Sequence, residues 1–489
     1  MKTLISLLLL FLVALPSAAQ EHGRSSASAV DIDDRYWDGR FGDNNGLASE
    51  YYGETSALIR SGGFIYAAGR YTHAGGMYVN NIARYDGTRW YPIVVGSDTG
   101  ISGAVFALAS IGSDLYAGGA FDSAGGVRTG AVARWNGTEW SRIGEGLKGQ
   151  VSVLTVIDGD LYAGGTFGIG ELGAIGHVAR WDGSTWNAVG GEINGNVEAI
   201  TASSGGLVIG GTFDTADGRR TGPVARWSTR AKSWAPLADE LRDTLSGGAG
   251  VYALIADGDD LYAGGRFDIA GTTGLANIAH LNGDHWESLG NGVYESYAML
   301  PMVLSLAATP NGIYAGGTFG KAGGRETGFI ARWDRARSEW GQLGSGVGLC
   351  EGFECNPAVT TILPDGSDLY VGGNFLVAGG KPSLLIARWT EPGPSGVGSD
   401  NRRTAASSLL IAPAPFTGTT RISFDLPHRS HVKLAVTDIG GHSIALLIDE
   451  SLSAGTHHTS WDASGLPSGI YLCTLEVEGS TVVEKMVKE

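Results

Sequence analysis

This chain is poor in charge, in sulfur and in long apolar runs. Only 17% of its 489 residues are charged, and 50 acids against 34 Lys and Arg leave a net charge of −16. Nucleic acid and anionic membranes both call for clustered Lys and Arg, so neither is a general partner. Beyond the first twenty residues no stretch reaches the roughly 18 apolar residues of a membrane-spanning helix, so the mature chain has no transmembrane segment. The 3.6-residue periodicity of helical repeats is missing too. The ten His form no H-x-x-x-H or H-E-x-x-H pattern, and there is no G-x-S-x-G elbow or P-loop. No motif calls for a metal or a cofactor, and none identifies an enzyme.

What is abundant is Gly, 79 residues, with 13 Trp and 17 Tyr. That mixture suits short strands and tight turns. At this length the chain needs a repeat array or a large closed sheet rather than one ordinary core. Residues 1–19 read as a signal peptide: Lys2 opens it, Leu4 to Leu15 form its apolar core, and Ser17-Ala18-Ala19 offer a cleavage site. Residues 20–30 are small and polar, a disordered lead-in. The aspartates at 31, 33 and 34 lack the downstream ligands of a calcium loop and read as a solvated entry. Of the three Cys, Cys350 and Cys355 have four residues between them and read as a local disulfide in an exported protein. Cys473 sits in an apolar strand pattern and reads as a buried thiol.

From residue 56 one unit recurs seven times. Tyr66, Tyr116, Tyr162, Tyr262, Tyr314 and Tyr370 each begin a Tyr-(Ala/Val)-(Gly/Ala)-Gly run, and Val208 takes that place in the fourth copy. A period near 50 residues is the spacing of four-stranded propeller blades. An apolar run (Ala104 to Leu108, for instance) gives strand A, and Leu115 to Gly119 gives strand B. Val132-Ala133-Arg134-Trp135 gives strand C, and Trp140 opens strand D. Asp86-Gly87, Asn136-Gly137, Asp182-Gly183 and Asn282-Gly283 mark the C–D hairpins, where both turn residues accept positive φ. The paired aromatics are five residues apart in Trp135/Trp140 and seven in Trp227/Trp234, an even change that keeps each on its face. The last copy runs from Trp389 into Glu391 and Pro392 with no second Trp. An orphan Trp37 precedes the first copy, so Trp37 to Phe41 is expected to supply the fourth strand of the last blade and close the ring.

With their Gly-Gly pair and two spaced aromatics, these units resemble Kelch repeats over residues 56–390. The expected fold is all-β: a seven-bladed β-propeller of four-stranded blades over residues 31–390, a Pro/Gly/Ser linker over 391–406, and a small β-sandwich over 407–489. The last segment resembles the type A C-terminal sorting domain of proteins exported by the type IX secretion system. Ala412-Pro413-Ala414-Pro415-Phe416, Val436-Thr437-Asp438-Ile439-Gly440-Gly441, Trp461-Asp462-Ala463-Ser464-Gly465-Leu466 and Ser468-Gly469-Ile470-Tyr471 carry that resemblance. It implies a partner in the secretion machinery, passage through the periplasm and outer membrane, a secreted or cell-surface location, and removal of the domain on release or attachment.

Regular positions point to scaffold. Arg84, Arg134, Arg180, Arg226, Arg332 and Arg388, with His280 in the fifth copy, precede the first aromatic and read as structural, with Asp122, Asp214 and Asp268 as candidate partners. Asp182-Gly183-Ser184-Thr185-Trp186 reads as a turn. Binding is expected on the face carrying the B–C and D–A connections. The D–A insertions, Asp43 to Thr55, Asp239 to Gly250, Asn291 to Met302 and Ser345 to Thr360, carry Tyr51, Tyr52, Tyr294, Tyr297 and Phe353 as candidate ligand-binding aromatics. Glu351 and Glu354 accompany them. The expected function is an exported, non-enzymatic binding or adhesion protein for a glycan or a surface protein. The alternative is a polysaccharide hydrolase or lyase with its carboxylates on the same face.

Overall fold

The structure is a computed structural model. It describes residues 31–391 and 409–488, except 43–44, 50–52, 170–173, 204–205, 246–247, 296–299, 349–356, 413–415, 427–428, 439–442, 454 and 478–479. The signal peptide, the Cys350–Cys355 pairing and most of the linker therefore lie outside the described residues. The chain divides into two compact bodies, Met1–Gly393 and Pro394–Glu489. Both are all-β; the helical content described is two short 3₁₀ turns, Ile32–Tyr36 and Gly39–Phe41.

Among the described residues the first body holds seven four-stranded antiparallel sheets. Sheet two is representative: strand A is Ala104–Ile111, B is Asp114–Ala120, C is Val132–Trp135 and D is Trp140–Arg142. Strand A of each sheet packs against strand A of the next, and that of sheet seven (Ala358–Asp365) against that of sheet one (Glu54–Ser61). The A strands are thus the innermost layer of a closed series. Each carries a register shift opposite the end of strand B, as between Val105 and Ala107 or Val197 and Ala199.

The two glycines ending strand B have different causes. A Cβ on Gly118 would lie 2.8 Å from Val151 Cγ1 and 3.0 Å from Leu154 Cγ, both on strand A of the next sheet. A Cβ on Gly119 would overlap the Ala104 carbonyl oxygen, on the bulged strand of its own sheet. The first Gly therefore admits the neighbouring sheet, and the second admits the bulge. Gly164 faces Val197 and Gly210 faces Val251 in the same way. The Val that enters is fully buried each time.

The paired aromatics fasten sheet to sheet. Trp135 lies directly opposite Trp140, and the seven-residue spacing gives the same register for Trp227 with Trp234. The second Trp is buried, and in sheets one and six it bonds the connection arriving from the preceding sheet: Trp90 Nε1 donates to the Asn45 carbonyl and Trp340 Nε1 to the Leu289 carbonyl, both at 2.8 Å. The C–D turns are Asx turns, Asp182 Oδ1 accepting from the Ser184 and Thr185 amides at 2.9 and 2.8 Å.

The last sheet takes its fourth strand from the other end of the body. Trp37–Asp38 pairs with Ile386–Thr390, Trp37 opposite Trp389 and Asp38 opposite Arg388. Trp37 is 1% exposed, and its Nε1 donates to the Leu343 carbonyl at 2.8 Å. Arg388 pairs with Asp38 and, at 3.2 Å, with Asp368. Lys381 Nζ donates to the Asp34 carbonyl at 2.9 Å.

The second body has a three-stranded sheet (Leu409–Ala412, Thr419–Leu426, Gly455–Asp462) and a four-stranded one (Ser443–Leu452, Ser430–Asp438, Gly469–Val477, Ser480–Lys488). Phe424, Trp461, Val436, Tyr471, Leu475 and fully buried Cys473 share one core between them.

Two consequences are measurable by chemical unfolding. Gly118→Ala overpacks the contact with Val151 and should cost about 1–3 kcal/mol; unchanged stability would remove the close-approach argument. Trp37→Ala empties a filled site and should cost about 3–5 kcal/mol, and deletion of residues 31–42 at least as much. Unfolding identical to that of the intact chain would show that the N-terminal strand closes nothing.

Candidate functional site

The Arg positions are tied within their own sheets. Arg134 Nε donates to Asp114 at 2.7 Å, Arg180 Nε to Asp160 at 2.7 Å, and His280 Nε2 lies 2.8 Å from Asp260. These partners differ from the expected Asp122, Asp214 and Asp268. The register explains it: Tyr116 is directly opposite Arg134, so Asp114, two residues earlier, is a diagonal neighbour on the same face. In sheet one Phe64 holds that position, and the Arg84 guanidinium lies 4.6 Å from its ring centroid. As largely exposed pairs these contribute little to stability. In sheets four and six that diagonal position is Gly206 and Gly312, which offer Arg226 and Arg332 no carboxylate.

On the opposite face the B–C connection is itself a hairpin. Ser123–Ala124 pairs with Val127–Arg128 around Gly125-Gly126, both at positive φ. The D–A connection pairs with such hairpins: Leu241–Arg242 with Ile269–Ala270, Val293–Tyr294 with Lys321–Ala322, Val347–Gly348 with Val377–Ala378. The long connections therefore knit into small sheets around one face. Tyr294 belongs to that fabric, half-buried, its hydroxyl 3.6 Å from where a Gly324 Cβ would stand. Tyr51, Tyr52, Tyr297 and Phe353 lie outside the described residues.

Sheet three departs from the pattern. Its A and B strands run on as Leu147–Ile157 and Asp160–Ile169, and its C strand begins early, at Ala174. It has no Ala-Gly-Gly hairpin of its own. A cavity of about 830 Å³ opens between sheets three and four, lined by Thr166, His177, Val178 and residues 188–196. A second, of about 320 Å³, lies between sheets four and five, lined by Thr212, Asp214, Arg220, Glu240, Arg242 and Asp243. Asn194 belongs to both.

The groups around them are held by one another. Thr166 Oγ1 donates to Asn196 Oδ1 at 2.8 Å, and Asn196 Nδ2 donates to Ser152 Oγ at 3.1 Å and to Glu198. Asn194 Oδ1 accepts from the Asp214 and Thr215 amides at 3.0 and 2.9 Å, while its Nδ2 donates to Asp214. Arg220 clasps Glu240 at 2.7–3.2 Å, and Arg266 Nε lies 3.1 Å from Asp243. Ser152, Glu198 and Tyr252 are the bulge residues of sheets three, four and five. Burial raises the Tyr252 hydroxyl, Arg266 opposes this, and Glu198 and Asp243 add to it.

His177 is 8% exposed, and its Nδ1 makes no hydrogen bond among the described residues. Burial lowers its pKa below the usual 6.5, opposed by the Gly165 and Gly195 carbonyls and by Glu192. The residues preceding strand C in the other copies are Asn81, Ala131, Pro223, Asn277, Phe329 and Leu385. An alignment of the seven units at this position singles out His177 as the one ionisable group. Insertion length, the criterion applied to the sequence, passes over it.

Fold and site together define an all-β repeat protein with a depression of mixed polar and apolar lining on its loop face. Residues 410–489 match the secretion system C-terminal sorting domain family, so the chain is exported, to the cell surface or beyond. Through this domain it meets the type IX secretion machinery. No curated protein matches the chain. Among solved structures it is similar to PorZ, an essential surface component of the type IX secretion system of Porphyromonas gingivalis. That likeness has 14% identity and a TM-score of 0.40, covering 92% of this chain and 60% of PorZ. The chain thus spans less than two thirds of PorZ's length. A protein of unknown function from Bacteroides thetaiotaomicron is similar at 14% identity and a TM-score of 0.33, covering 70% of this chain and 89% of that one.

The depressed pKa of His177 has a signed consequence. The unfolded chain binds a proton here before the folded chain does, so stability falls as pH drops below 6.5. The loss levels off once the folded-state pKa is passed. Above about pH 7.5 the contribution is fully present. Unfolding measured at pH 7.5 and pH 5 should show a smaller pH dependence for His177→Gln than for the parent; equal dependence would place the titration elsewhere.

Proposed function

We propose that the first body is a seven-bladed, Kelch-like β-propeller, and that the chain is a non-enzymatic binding protein delivered to the cell surface or the medium. The cyclic packing of seven four-stranded sheets supports the propeller reading. One observation carries the binding reading: the connections of one face are knitted together, and the face opens into a depression where sheet three breaks the repeat. A rigid ring positions such a site without moving parts. The carboxylates beside the depression support binding rather than hydrolysis or elimination. Glu198 and Asp214 are engaged as acceptors by the neighbouring amides of Asn196 and Asn194.

Purified full-length protein should be retained saturably on bacterial envelope fractions or surface polysaccharide, and leave them chemically intact. Absence of saturable retention on every fraction, or release of soluble saccharide products, would overturn this function.

A further inference from the structure

We infer that the depression over sheets three to five is a binding groove for a neutral oligosaccharide. This rests on the reading of the chain as an exported binding protein and names its site and ligand class.

Four observations converge. The first is shape: two cavities, of about 830 and 320 Å³, meet at Asn194, which gives an elongated depression rather than a single-residue pocket. The second is lining. Thr166, Asn194 and Asn196 set a hydroxyl and two planar amides beside apolar Val178, Ala188, Val189 and Ile193, a mixture that suits the hydroxyls and the C–H face of a sugar ring. An amide or carboxylate held in place keeps spare acceptor sites, which match the vicinal hydroxyls of a sugar ring. Because Asn196 is fixed by Thr166, Ser152 and Glu198, its ordering cost is met before the ligand arrives.

The third is charge. Arg220 is spent on Glu240 and Arg266 on Asp243. Of the other lining charges, Glu192 and Arg242 are opposite in sign and give the depression no net preference for a cation or an anion, and an anion would also face the chain's net charge of −16. The fourth is an unmet polar group. His177, more than nine-tenths buried on the wall of the larger cavity, leaves Nδ1 without a hydrogen bond among the described residues. A buried polar atom of this kind is costly unless something bonds it, and a sugar hydroxyl both donates and accepts.

The test is isothermal titration calorimetry of the full-length chain with tetrasaccharides. Maltotetraose, xylotetraose, mannotetraose, laminaritetraose and N-acetylchitotetraose are the neutral probes; tetragalacturonate and the chitosan tetramer are the charged ones. At least one neutral probe should bind saturably and at least tenfold more tightly than either charged one. Thr166→Val and Asn196→Ala should each weaken that binding at least tenfold, while Tyr294→Ala leaves it unchanged. Thr166 is exposed, so its near-isosteric variant keeps the fold, and a matching thermal melt confirms this.

Neutral binding that survives both substitutions overturns the location and leaves the binding function standing. Preference for a charged probe, or retention of envelope protein with no neutral sugar bound, overturns the ligand class alone. Failure to retain any sugar or envelope fraction overturns both.

Discussion

The structure depends on one close approach repeated around the ring. A buried Val on the innermost strand of one sheet enters the space that the first Gly of the preceding sheet leaves open, as Val151 does over Gly118 and Val251 over Gly210. Sheet one fits the methyl of Ala68 at this position, and a larger side chain would hold the sheets apart, where dispersion contact falls steeply with such a gap. The bulge that turns this Val outward uses the second Gly, whose missing Cβ leaves room for the bulged carbonyl. Composition follows directly. Much Gly and little charge are what sheets need to pack this closely in series.

The same bulge produces the variable part of the molecule. Inserting one residue into strand A sends the Val into the sheet-to-sheet contact and leaves its successor half-buried where adjacent A strands meet. The Val is constrained by packing; its successor is not. It is Ser56, Phe106, Ser152, Glu198, Tyr252, Leu304 and Thr360 around the ring. Three consecutive polar members, Ser152, Glu198 and Tyr252, underlie the depression. One device therefore fixes the scaffold and frees a side chain for use.

Repeat-borne features were legible in the sequence because each is written several times. The Tyr-Ala-Gly-Gly run, the paired Trp and the orphan Trp37 all correspond to specific pairings, Trp37 opposite Trp389 among them. The C-terminal resemblance was legible for the same reason, a fixed order of short motifs. The partner of each Arg was not, since it depends on the register that sets Tyr116 against Arg134, and no spacing rule supplies that register. The site was harder still. It is signalled by something missing, the Ala-Gly-Gly hairpin of the third unit, and by one His at a position that is Ala, Asn, Pro, Phe or Leu elsewhere. Long insertions with Tyr and Phe attract attention, yet the one such aromatic described, Tyr294, lies in the knitted fabric of the face.

Ring order separates the closure from the depression. Sheets seven and one meet at the strap formed by residues 31–42, where Asp38, Arg388, Asp368 and Lys381 hold a strand contributed from far along the chain. Asp34 adds to this by accepting from the Ser345 amide at 2.6 Å. The closing strand at this junction pairs over only two residues. Local opening concentrates at elements of this kind. Sheets three to five follow one another along the chain, and they carry the depression. A groove that must hold Asn196, Glu198 and His177 in fixed relation gains from standing where the ring has no seam, and the departure of sheet three from the repeat is tolerated because its neighbours on both sides keep theirs.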